Sequence, residues 1–186
     1  PIFIGGRQHC GNTLVSELLG GAPDLISAAG EVIWFSFGRR ALPLDESGVE
    51  EILIRLHNRP SPDWADAAPL RTFLRARLND APPPRTLDGL FTDAVNAAPS
   101  LYGARRLVMK DTSAIFHLEE VWNAFPDAKI IFLIRSPLDF AASIRRRGGD
   151  VLRALLGWRR GVEIALAEQM RAADRLMIIR FEDLIL

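Results

Sequence analysis

The chain has 186 residues, 48% of them hydrophobic, which suits one well-buried domain and is short for two. Its 23 basic and 23 acidic residues cancel, so a broad nucleic-acid or membrane-surface footprint is excluded and any anion site must be local. The single Cys10 cannot form an internal disulfide, no stretch reaches the roughly 18 apolar residues of a membrane span, and no signal-peptide pattern opens the chain, so a cytoplasmic protein is expected. The first element is the apolar strand-like run Ile2-Phe3-Ile4, followed by the loop Gly5-Gly6-Arg7-Gln8-His9-Cys10-Gly11-Asn12-Thr13 and the helix-like Leu14 to Leu19. Read from Gly6, the loop is G-x-x-x-x-G followed by Asn-Thr, a P-loop frame in which Asn12 holds the usual lysine position. Glycines let such a backbone turn tightly and aim its N–H groups inward, and the helix adds its positive end, so the loop reads as a phosphate or sulfate cradle. Without the lysine that reaches the β/γ-phosphates, it points to a nucleotide with no γ-phosphate to transfer. The plainer alternative is an ordinary Gly-rich strand-to-helix turn.

A long variable middle comes after this helix. Arg59-Pro60-Ser61-Pro62-Asp63 and Ala81-Pro82-Pro83-Pro84 break regular structure, so residues 38–100 are expected to be a helical and loop insertion that shapes substrate selectivity. Trp34, Phe35 and Phe37 form an aromatic cluster, read as core packing in preference to a pocket lining. Next come apolar runs at Leu107-Val108-Met109, Ile130 to Ile134 and Leu176 to Ile179, with helical spacing over Ala114 to Phe125 and Val151 to Ala173. Continuous apolar runs suit parallel strands covered on both faces, so the order predicts an α/β fold.

Two of these strands end in anion-friendly groups. The first delivers Lys110-Asp111-Thr112-Ser113, with Lys110 one of only two lysines against 21 arginines. Lys110 suits a site where negative charge develops, or else pairs with Asp111 or Glu119, while Thr112 and Ser113 read as a helix cap. The second delivers Arg135-Ser136-Pro137 and a helix-like segment carrying Ser143 and, four residues on, Arg147. Ligands of open α/β sheets bind beyond the carboxyl ends of the strands, and an i, i+4 pair shares a helix face, so Arg135, Ser143 and Arg147 can grip one phosphate. Arg145 and Arg146 read as a solvated basic helix end. His57 and His117 are too dispersed to ligate a metal, and none is expected.

Over most of its length the chain resembles the sulfotransferases that use 3'-phosphoadenosine 5'-phosphosulfate (PAPS). Phe3-Ile4-Gly5-Gly6 through Thr13-Leu14 is similar to the family's G-x-P-R-S-G-T-T-L loop. Phe125-Pro126-Asp127-Ala128-Lys129 through Arg135, with Ser143 eight residues later, resembles its 3'-phosphate motif, and Phe181-Glu182-Asp183-Leu184 resembles its Y-E-D-L segment. Lys110-Asp111 and Gly30-Glu31 look most like the tyrosylprotein branch and its bacterial relatives.

The resemblance implies a three-layer P-loop-like fold with a central parallel sheet flanked by helices. It also implies sulfuryl transfer from PAPS to a hydroxyl or amine of a small-molecule, carbohydrate or peptide acceptor, releasing 3',5'-ADP. The resemblance assigns Gly11, Asn12 and Thr13 to the 5'-phosphosulfate and Arg135 and Ser143 to the 3'-phosphate; the donor-binding set expected here adds the rest of the loop, Gly6, Arg7, Gln8, His9 and Cys10, and Arg147 from its shared helix face. Lys110 would stabilise the leaving group, Glu31 would accept the acceptor's proton, and His9 would hydrogen-bond or act as base. This chain departs from the pattern at Gln8, His9, Cys10 and Asn12, where the family has Pro, Arg or Lys, Ser and Thr. A P-loop kinase or NTPase and a non-catalytic nucleotide-binding descendant remain the alternatives. The chain stops just after Leu184, which reads as C-terminal truncation of one sulfotransferase-like domain.

Overall fold

The computed structural model describes residues 1–36, 43–57, 64–80 and 86–185. The expected breaks at 59–63 and 81–84, Phe37 and the start of the insertion at residue 38 lie outside them. The described strands are β1 (Ile2–Gly6), β2 (Leu25–Glu31), β3 (Arg106–Lys110), β4 (Lys129–Ile134) and β5 (Leu176–Arg180). The helices are α1 (Asn12–Gly20), α2 (Glu46–His57), α3 (Ala68–Asn79), α4 (Leu87–Leu101), α5 (Leu118–Ala124), α6 (Pro137–Arg146) and α7 (Val151–Arg171). The strands form one parallel sheet in the order β2-β3-β1-β4-β5.

Each apolar run puts alternate residues on opposite faces; both faces of the interior strands are covered, whereas the edge strand β5, expected to be covered on both faces, leaves Met177 exposed. Ile4, Val108 and Leu133 pack with Val15 of α1 and Phe140 of α6. Phe3, Met109 and Phe132 face the other side, against Ile52 of α2, Leu74 of α3, Phe91 of α4 and Val121 of α5. The protein is therefore an α/β fold of three layers, with a central parallel sheet flanked by helices. Phe3 is fully buried, its ring 5.7 Å from Phe125 and 6.0 Å from Phe35; burial of such a side chain contributes about 2–3 kcal/mol. Trp34 and Phe35 are buried too, with Trp34 stacked 4.0 Å from Phe91, so these two aromatics serve the core.

Two elements differ from the sequence reading. Leu25–Glu31 is a strand, although Ser27, Ala28 and Gly30 interrupt any apolar run. It is held by pairing with β3 and by non-local bonds: Ser27 Oγ lies 2.8 Å from Ser16 Oγ, and Trp64 Nε1 donates to the Ser27 carbonyl at 2.9 Å. The expected helix from Ala114 is divided into a 3-10 turn, Ala114–Phe116, and α5, because His117 leaves helical geometry at φ −133°.

The expected cap at Ser113 is replaced by a tie to Asp111. The fully buried Asp111 carboxylate accepts bonds from Ser113 Oγ at 2.5 Å, Ser113 N at 2.9 Å and Trp34 N at 3.0 Å. Burial pushes its pKa up, and these bonds oppose that shift. Asp111 thereby fastens the segment after β2 to the end of β3. Replacing Asp111 with Ala orphans two buried N–H donors and is expected to cost about 2–4 kcal/mol in urea unfolding, with Asp111→Asn losing less; equal stability of the Ala variant would contradict this role.

Candidate functional site

The carboxyl ends of β1, β3 and β4 open onto a cleft of about 670 Å³. Its lining comprises Gln8, His9, Gly11, Asn12, Thr13, Glu31, Lys110, Thr112, Arg135, Ser143, Arg147 and Phe181. Register explains the convergence. Ile4 pairs with Lys110 on one side and Ile131 on the other, so the loop after β1 lies between the ends of its two neighbours.

Two glycines set the loop's path. Gly6 adopts φ +118°, and an added Cβ would stand 2.6 Å from the Leu133 carbonyl oxygen. Gly11, at φ +97°, abuts the Phe181 ring, leaving no room for a side chain. The Asn12 side-chain amide donates to the carbonyls of Gly6 and Arg7, each at 3.1 Å, and so staples the loop at the position where an NTPase would carry its lysine. Gly11 caps α1 without a side-chain hydrogen bond, and the first turn holds no acidic residue. That end of α1 presents backbone N–H groups and a positive dipole to the cleft.

A short network joins the strand ends. Lys110 Nζ donates to Thr13 Oγ1 at 3.2 Å and stands 3.7 Å from Glu31 Oε2, while Thr112 Oγ1 donates to Glu31 Oε1. Lys110 thus pairs with Glu31, and neither Asp111 nor Glu119 takes that place. A shift in the β2–β3 register between Ala28 and Glu31 brings the carboxylate opposite the lysine. On the other wall, Arg135 Nη1 donates to the His9 carbonyl at 3.1 Å and its guanidinium lies 4.8 Å from the Phe181 ring centre. Arg135 Nε is buried with no hydrogen-bond partner among the described residues. Ser143 is buried on α6, and Arg147 follows that helix at the cleft mouth.

Not every loop residue faces the cleft. Cys10 is fully buried in the core, and burial raises its thiol pKa to about 11, so it stays a neutral thiol near pH 7. The Arg7 guanidinium packs toward Phe116 of the 3-10 turn, 6.0 Å from its ring centre. Gly6 shapes the loop without lining the cleft. Lys129, from the sequence motif, bonds the Asp174 carbonyl at 2.7 Å from the far end of β4. Thr112 and Phe181 join the lining; the sequence signal for each was its place, beside the Lys-Asp pair and at the head of the Y-E-D-L-like segment.

Three cationic side chains, Lys110, Arg135 and Arg147, thus face the cleft against one carboxylate, Glu31. The arrangement suits a ligand with separated anionic groups, one at the α1 terminus and one near Arg135 and Arg147.

The cleft sits at the strand ends of an α/β protein of P-loop-like build. The chain belongs to the sulfotransferase family, whose model matches residues 1–186. It is 25% identical over 203 aligned residues to Protein-tyrosine sulfotransferase 1 of Danio rerio, covering 100% of this chain and 48% of that protein, so it spans about half the length of that relative. Among solved structures, the Sulfotransferase Domain from the Curacin Biosynthetic Pathway superposes with a TM-score of 0.65 at 21% identity, covering 98% of this chain and 67% of that one. The Sulfotransferase Domain from the Synechococcus PCC 7002 Olefin Synthase gives 0.62 at 23% identity, with 98% and 66% covered. At these identities the structures show the fold. No helix among the described residues is long and apolar enough to cross a membrane.

His9 sits at φ 70°, in the left-handed region. Partial burial, then the charges of Arg147 and Arg135, push its pKa below the usual 6.5, with Glu31 opposing weakly. The imidazole is therefore neutral at pH 7. Below pH 6.5 the unfolded chain binds a proton at this position that the folded chain resists, so His9 contributes stability above that pH and loses it as pH falls through the folded value. Proton NMR titration is expected to show a His9 midpoint below 6.5 that moves up in Arg147→Ala; an unchanged midpoint would contradict the arginine's part in the shift.

Proposed function

We propose that this chain transfers a sulfuryl group from PAPS to an acceptor hydroxyl or amine, releasing 3',5'-ADP. The observation that carries this reading is the convergence, in one cleft, of a glycine-shaped loop, an uncapped helix terminus and cations on two separate walls. Bound PAPS supplies an activated sulfuryl group at one end and a 3'-phosphate at the other. In this reading the loop N–H groups and the Thr13 hydroxyl hold the phosphosulfate end, while Arg135, Ser143 and Arg147 hold the 3'-phosphate. Gly6 and Cys10 serve the loop's shape, and Arg7 acts through its backbone.

Lys110, bonded to Thr13 Oγ1 at 3.2 Å, carries its charge to the end of the loop where negative charge collects during transfer. Glu31 has one oxygen occupied by Thr112 and the other facing Lys110, within the same cleft, where it takes the acceptor's proton. Neutral His9 contributes hydrogen bonding or proton acceptance in place of the cation that the family pattern has at its position. A kinase or NTPase reading is disfavoured because the residue in the lysine position is an amide tied to loop carbonyls.

Acceptor selection is assigned to the helices between β2 and β3. Arg55 of α2 donates to the carbonyls of Val32 at 2.9 Å and Ile33 at 3.3 Å, tying that layer to the segment just after Glu31. Because the Danio rerio relative is named for protein tyrosine, a tyrosine peptide is the first acceptor to screen, followed by simple phenols and carbohydrates.

Two variants test the roles. Arg135→Ala is expected to weaken 3',5'-ADP binding by roughly 10- to 100-fold in calorimetry, as loss of a charge-assisted pair does, with ADP little affected; equal losses for both nucleotides would sink the 3'-phosphate assignment. Lys110→Ala is expected to lower turnover by about 100-fold or more while donor affinity changes far less. A loss confined to affinity would recast Lys110 as a binding residue.

A further inference from the structure

The 3-10 turn Phe181–Leu184 contributes Phe181 to the cleft lining and touches both of its walls. Phe181 packs on Gly11 of the loop and lies beneath the Arg135 guanidinium. Its neighbour Glu182 reaches the other way: its Oε1 accepts a hydrogen bond from the backbone N–H of Ser136 at 2.6 Å. Ser136 is where β4 hands over to α6, with φ −44°, ψ 127° and no side-chain cap of its own. A carboxylate placed there supplies the missing partner at a helix N-terminus, where the dipole favours it. The Ser136 bond is the main influence holding the Glu182 carboxyl below the usual range, and Arg180 stands 3.9 Å from its other oxygen.

We propose that Glu182 is a positioning residue for the 3'-phosphate subsite, fixing the Arg135-Ser136-Pro137 turn so that Arg135 faces the cleft before the donor arrives. This inference rests on the donor assignment above and deepens it. Arg135 is held from three directions: Nη1 on the His9 carbonyl, its face on Phe181, and its own backbone through Ser136 on Glu182. Of the three, the Glu182 bond alone fixes the main chain at the strand-to-helix junction. Freeing that junction lets Arg135 and the start of α6 sample other positions, and ordering them then costs binding energy that the native turn has already met. The cost falls chiefly on the 3'-phosphate, because the loop assigned to the 5' end keeps its own closure through Asn12 and meets Arg135 only at the His9 carbonyl.

Glu182→Ala and Glu182→Gln test this by calorimetric titration with 3',5'-ADP and with ADP. The Ala variant is expected to bind 3',5'-ADP about tenfold more weakly, the loss typical of one hydrogen bond to a charged group, with ADP changed less than about twofold. The Gln variant keeps an oxygen for the Ser136 N–H and is expected to recover most of the loss. Equal weakening of both nucleotides, no weakening, or a Gln variant that behaves like Ala overturns the proposal. A wild-type protein with no preference for 3',5'-ADP over ADP overturns the donor assignment first and this inference with it. In the wild-type protein the Ser136 amide resonance is expected to move with a midpoint below 4.5, following the Glu182 carboxyl; an amide that ignores that titration overturns the bond itself, whatever the folding of the variants.

Discussion

Parallel pairing of β1 with β3 on one side and β4 on the other is the constraint on which the site depends. All three strands run the same way and are held in register, so their carboxyl ends finish at one edge of the sheet. Each strand exit carries a different positively polarised group: backbone N–H groups and a helix terminus after β1, an ammonium at the end of β3, a guanidinium after β4. A sheet of this kind needs apolar residues on both faces, which leaves its polar chemistry to the strand ends.

The site is kept in shape by bonds that satisfy backbone groups as well as by packing. Asn12 uses its amide to close the loop on itself, Asp111 ties the β2 exit to the β3 exit, and Arg135 bonds the loop carbonyl at His9. Each is a polar side chain with backbone partners in a place largely removed from water, where breaking it leaves an unsatisfied group. The same closeness sets the electrostatics. Partial burial, then the charges of Arg147 and Arg135, discourages a proton on His9, and the Lys110–Glu31 ion pair lies beside the loop.

The legibility of this design in the sequence depends on the physics of each part. Interior strands β1, β3 and β4 appeared as unbroken apolar runs because both their faces are buried, and β5 was legible on the same pattern. Strand β2 did not, because small residues interrupt its apolar pattern and its place depends on Ser16, Trp64 and β3, outside the strand itself. Glycine spacing announced the turn after β1, but nothing local reveals that Cys10 points into the core and Arg7 toward Phe116. The Lys110 partner was equally hidden. Candidates close in sequence were Asp111 and Glu119, whereas the register shift in β2 delivers Glu31 from 79 residues away. Thr112 and Phe181 were visible as residues of recognisable motifs, yet their place in the cleft lining is a property of the folded chain.

The most direct test is calorimetric titration of the wild-type protein with 3',5'-ADP, set against ADP and ATP–magnesium. A cleft with cations on two walls predicts micromolar binding of 3',5'-ADP, with an affinity that falls by at least about tenfold when the 3'-phosphate is absent. Binding that ignores the 3'-phosphate, or a preference for ATP–magnesium, would contradict the assignment of Arg135, Ser143 and Arg147 and with it the central claim.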